Sequence, residues 1–125
     1  MISLTPEEIT QLKNRLADYP DATDALQEIE DCDGDLEDAA ISLALRSDQE
    51  PDSNEQWLAS FSKRYRHIVC QEQFREAIAA GQLSTLITYL DQETDCPKLI
   101  APMVAIYVFK HGVQDFCRSF DNSRV

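Results

Sequence analysis

Helix boundaries are written into this chain at short intervals, and they constrain its fold more than any other feature. In "LTPEEITQLKNRLADYP", Thr5 is placed as an N-cap, Pro6 suits the first helical position and Glu8 completes a capping box. Ile9, Leu12 and Leu16 then recur at helical spacing until Pro20 pushes its predecessor out of the helical region. A second helix is predicted from near Asp21, burying Ala25, Leu26 and Ile29 and stopping at Asp33-Gly34. Asp35 caps a third, with an apolar stripe of Leu36, Ala39, Ala40 and Leu43, while Glu37 and Asp38 complement the dipole of its first turn. Trp57, Phe61, Tyr65 and Ile68 share one face of a fourth helix. "QEQFREAIAAGQL" forms a fifth that ends at Gly81, and Ser84 caps a sixth. A seventh begins near Pro97, with an irregularity expected at Pro102 and a stop at Lys110-His111-Gly112. Val113, Phe116 and Phe120 mark a short last helix. Alternating strand patterns are absent and the chain holds only 3 glycines, so an all-α protein is predicted.

The 125 residues suit one compact domain or two small ones. "RSDQEPDSN" has no apolar residue, and it divides the chain into a three-helix bundle over 1–46, a linker over 47–54 and a second helical bundle over 55–125. Charge follows the same division. Residues 1–51 hold 14 acids and 3 bases, a balance of −11, whereas residues 52–125 hold 9 acids and 8 bases, a balance of −1. Such a field repels nucleic acid and anionic membranes and favours basic protein partners. The longest apolar run, Leu99 to Phe109, is too short to span a bilayer. No secretory leader is visible and the 4 cysteines form no C-x-x-C pair, so a cytoplasmic protein with free thiols is expected.

"EDCDGDLEDAA", Glu30 to Ala40, invites a calcium reading. An EF-hand loop needs glycine at its sixth position and a bidentate glutamate at its twelfth. Counting from Asp31 puts glycine fourth and Ser42 twelfth, and placing Gly34 sixth makes Ile29 the first ligand. Neither register works, so a glycine stop followed by an aspartate cap is the reading adopted.

The same turn resembles the ubiquitin-associated superfamily, which includes the UBA and CUE domains. The shared phrase is carried by Ile29, Gly34-Asp35, Leu36, Glu37, Ala39-Ala40 and Leu43, and Tyr19-Pro20 is similar to the Phe-Pro that ends the first helix of CUE domains. The resemblance covers roughly residues 3–46. It implies a three-helix bundle that binds ubiquitin or other proteins through the loop after its first helix and the end of its third. By position, those contacts are Tyr19, Pro20, Leu43 and Leu45. Asp18 replaces the usual CUE methionine, and Ala44-Leu45 interrupts the usual di-leucine. Tyr19 and Leu43 can equally be read as filling a small core.

Three further groups bear on chemistry. His67 and Cys70 lie one helical turn apart and, with His111 and Cys117, would make a zinc set; Cys70 or Cys96 could instead serve a thiol-based regulator. No phosphate-cradling glycine loop or G-x-S-x-G elbow is present, so neither catalysis nor a cofactor is expected. The run "KRYRH" places Lys63, Arg64 and Arg66 around Tyr65, which the helical pattern turns inward; its bases suit a solvated face, docking on the acidic bundle, or nucleic acid. Because apolar residues surround the Leu99–Phe109 helix, homodimerisation through the C-terminal helices is a further expectation. The function expected from all this is a non-catalytic protein–protein interaction module, an adaptor or assembly factor, with a metal-stabilised or thiol-based regulator as the alternative.

Overall fold

The protein's structure, a computed structural model, describes residues 2–51 and 56–123, and side chains up to Asp121. It is all-helical, and among the described residues the sole β feature is an isolated bridge between Ser3 and Asp35. In chain order the elements are α1 (Pro6–Arg15), α2 (Pro20–Asp31), α3 (Leu36–Arg46), α4 (Trp57–Ser62), a 3-10 turn (Lys63–Tyr65), α5 (Arg66–Val69), α6 (Glu72–Ala79), α7 (Ser84–Glu93), α8 (Ala101–His111) and α9 (Val113–Ser123).

The first three helices form under the expected local rules. Thr5 and Glu8 exchange the two bonds of a capping box, at 3.2 and 2.8 Å. Pro20 is the first residue of α2, where its missing N–H costs nothing. In the acidic segment from Glu30 to Ala40, Gly34 adopts φ +88° and its N–H bonds the Ile29 carbonyl at 2.8 Å, closing α2. Asp35 Oδ1 then accepts from the N–H groups of Glu37 and Asp38 and opens α3. The turn also anchors the chain's first residues. Leu4 donates to the Gly34 carbonyl at 2.9 Å and Leu36 to the Ile2 carbonyl at 3.3 Å.

Beyond the head, three expectations change. The helix expected over Trp57–Ile68 is interrupted by the 3-10 turn, although its aromatic face persists, with Trp57 stacked on Phe61 at 4.9 Å and Phe61 beside Tyr65 at 5.6 Å. Ser84 is not a cap: α7 starts from Leu83 with no side-chain capping bond. Pro102 causes no irregularity, because it falls in the first turn of α8, where no N–H is required.

Helix α8 is the axis of the molecule. Every side chain from Ala101 to Val108 is buried, covered by α4, α6, α7 and α9 and, from the head, by α2 and α3. One hydrophobic core therefore runs from Leu4 to Cys117 across both charge-defined segments. Residues 52–54 of the expected linker lie outside the described residues. The apolar faces that suggested a homodimer through α8 are met by the chain's own helices. Among the described residues, no helix is long and apolar enough to cross a membrane.

Polar ties reinforce the shared core. Lys110 at the end of α8 pairs with Glu8 of α1 at 2.9 Å, and Arg15 donates to the Gly81 carbonyl at 3.1 Å. A disulfide joins Cys70, just after α5, to Cys117 in α9. The expectation of four free thiols is thus corrected to two, half-buried Cys32 and buried Cys96. The pairing was invisible in sequence because the partners have a sequence separation of 47, and only the packing of α5 on α9 brings them together.

Candidate interaction surfaces

Two places on the molecule collect the residues singled out by the sequence. The first is the free edge of the head. Helices α2 and α3 form a hairpin around the Gly34 turn, so the end of α3 returns to the start of α2. Arg46 holds that closure by bonding Asp24 at 2.9 Å. Tyr19 and Pro20, at the start of α2, thereby share one end of the hairpin with Leu45. Tyr19 is 36 % exposed and Leu45 is 63 % exposed, and they are the exposed large hydrophobic residues among those described. Leu43 does not join them. It is fully buried, because helical spacing turns it to the α2 side while Leu45 points outward. Its place in the contact set is therefore corrected, and the core reading holds for Leu43 but not for Tyr19. Exposed Asp18, Asp48 and Glu50 flank this edge in the sequence and give it an acidic surround.

The second place is a cleft of about 780 Å³ between the start of α3, α4, the 3-10 turn and the adjoining ends of α8 and α9. Here the acidic turn and the basic run meet: Asp35, Glu37 and Asp38 line it together with Lys63 and Arg66. Arg66 is held from behind. Its Nε donates to the Phe116 carbonyl at 3.0 Å and its guanidinium lies 4.9 Å from the centre of the Phe116 ring. Tyr107 and His111 stack on one another at 5.5 Å and complete the α8 wall. Arg64 turns elsewhere, with its guanidinium over Phe61, while Tyr65 is buried and donates to Asp95 at 3.0 Å. The basic run therefore splits: Lys63 and Arg66 belong to the cleft and Arg64 does not.

Glu37 is the residue that sequence reasoning misread. It was assigned to the dipole of α3, yet its two carboxylate oxygens accept the N–H groups of Leu58, at 2.6 Å, and Ala59, at 3.0 Å. These are the second and third residues of α4, which has no cap of its own from Gln56. A buried carboxylate from the head thus caps a helix of the second segment, fixing one wall of the cleft to the other. Burial pushes its carboxyl above the ordinary glutamate value, and the two N–H groups partly oppose that shift. Nothing in "LEDAA" marks which acid will reach 21 residues along the chain.

The cysteine and histidine candidates are not arranged as the expected zinc set. Cys70 and Cys117 bond one another, which removes two members of the proposed zinc set, and His67 is exposed. Among the described residues no three metal-ligating side chains are grouped. Burial raises the Cys96 thiol to about 12, far from an activated thiolate. Comparison of the chain with protein-family models, curated proteins and solved structures finds no match.

Proposed function

We propose that this chain is a non-catalytic protein-interaction module, an adaptor or assembly factor, that engages a protein partner through the Tyr19/Pro20/Leu45 edge of its head. The observation that carries the reading is the placement of Tyr19 and Leu45 together at one end of the α2–α3 hairpin, exposed where comparable side chains are buried. A small apolar anchor within an acidic surround suits a partner with an apolar recess and a basic rim. The succession of α1, α2 and α3 supports the likeness to the UBA and CUE domains as a proposal, with Tyr19, Pro20 and Leu45 as the contact set.

Affinity capture from native cell extract with the intact chain, Tyr19→Asp and Leu45→Asp tests this. Both sites are exposed, so the variants retain the fold. A partner retained by the intact chain, lost by both variants and released by added salt is expected. Identical partners on all three baits would overturn the reading. The alternative of thiol-based regulation draws on the Cys70–Cys117 disulfide, and its signature would be partner binding that changes on reduction.

A further inference from the structure

We propose that the cleft between α3 and α8 is a second binding site, distinct from the Tyr19/Leu45 edge, and that it takes a short amphoteric peptide with one basic and one acidic side chain. Three observations lead there. The first is that charges of both signs line one cavity without neutralising each other. Among the described residues, Lys63 and Asp38 each enter no ion pair and no side-chain hydrogen bond, although the basic run and the acidic turn share this cleft. Opposite charges that face one space unpaired are available to a ligand of complementary signs.

The second observation is that the walls are held in position. Glu37 ties α3 to α4 through two backbone N–H groups, and Arg66 is fixed by the Phe116 carbonyl and ring, leaving its terminal nitrogens for the cavity. A ligand therefore meets a formed site with little ordering cost. The third is size and lining. At about 780 Å³ the cleft falls within the range of about 300–1,000 Å³ common for sites that enclose a small ligand. Half-buried Ile2 and Ile41 offer apolar surface for the stems of long charged side chains. In this geometry the ligand's carboxylate goes to Lys63 and Arg66, and its cationic end goes to Asp38 and Asp35.

The test uses the full chain and three blocked tripeptides, Lys-Ala-Glu, Lys-Ala-Gln and Gln-Ala-Glu, with affinity measured by calorimetry. Lys-Ala-Glu is expected to bind about tenfold more tightly than either single-charge peptide, one charge-assisted contact being worth that ratio. Lys63→Gln should abolish the advantage over Lys-Ala-Gln, and Asp38→Asn the advantage over Gln-Ala-Glu, each with an unchanged thermal midpoint. Leu45→Asp should leave all three affinities as they are, which separates this site from the edge used in the proposed function. Equal binding of the three peptides, no binding at millimolar concentration, or insensitivity to both cleft variants would overturn the assignment.

Discussion

Two glutamates show how one residue type serves opposite roles here. Glu8 is a half-buried capping carboxylate whose pKa is lowered, first by the Thr5 N–H and then by Lys110. Its contribution to stability is present above the unfolded pKa and is lost as pH falls through the depressed folded value. Glu37 is buried and its pKa is raised, with desolvation the main cause. Its folded form binds more protons than the unfolded chain, so its contribution is complete below the unfolded pKa and shrinks as pH rises through the raised folded value. Denaturant midpoints followed across the acid range should show both slopes. Glu8→Gln should flatten the loss on the acid side, and Glu37→Gln should remove the decline above it. Deleting the cap altogether with Glu37→Ala should cost about 1–2 kcal/mol, read as a lower midpoint. Gly34 belongs to the same scale. A side chain there would sit at positive φ and overlap the Leu4 carbonyl oxygen. Gly34→Ala is expected to destabilise by about 2 kcal/mol or more, measured in urea, through backbone strain and loss of the Leu4 bond.

At the level of helices, the connection between α5 and α9 dominates. The Cys70–Cys117 bridge closes a loop of 47 residues, for which chain entropy predicts roughly 4 kcal/mol. Reduction, or Cys117→Ser, should therefore lower the thermal midpoint by roughly 10–15 °C. An unchanged midpoint after verified reduction would mean that the packing of Phe116 and Val113 suffices for α9. Sequence reading succeeded at most of the local signals, with Ser84 and Pro102 the exceptions. The Thr5–Glu8 box, the Gly34–Asp35 punctuation and the Gly81 and Gly112 stops all act within one turn of the residues that carry them. It failed where the deciding partner was distant. No glycine or proline marks the break after Ser62, and the spacing of Trp57, Phe61 and Tyr65 fits a continuous helix equally well. Among the candidate sites, Tyr19 and Leu45 were indicated only through the resemblance to UBA and CUE domains, by position. The cleft needs α3, the 3-10 turn and α8 in one place, and only the folded chain supplies that.

The whole molecule joins a strongly acidic segment to a nearly neutral one over a continuous core. Its field should steer basic partners, and the association rate with any partner of the head should fall as salt rises. The shared core also decides which experiments are informative. Removing residues 1–50 would uncover α8 along the faces met by α2 and α3, so point variants at exposed sites report on binding where such a deletion reports on unfolding. The position of α8 along the chain has a consequence during translation. Ribosomes add about 5–20 residues per second, so the stretch from Pro6 to Ala101 takes roughly 5–20 s to emerge. Throughout that interval the nascent head lacks the helix it packs against, and a waiting chaperone would meet the apolar faces of α2 and α3 before α8 does.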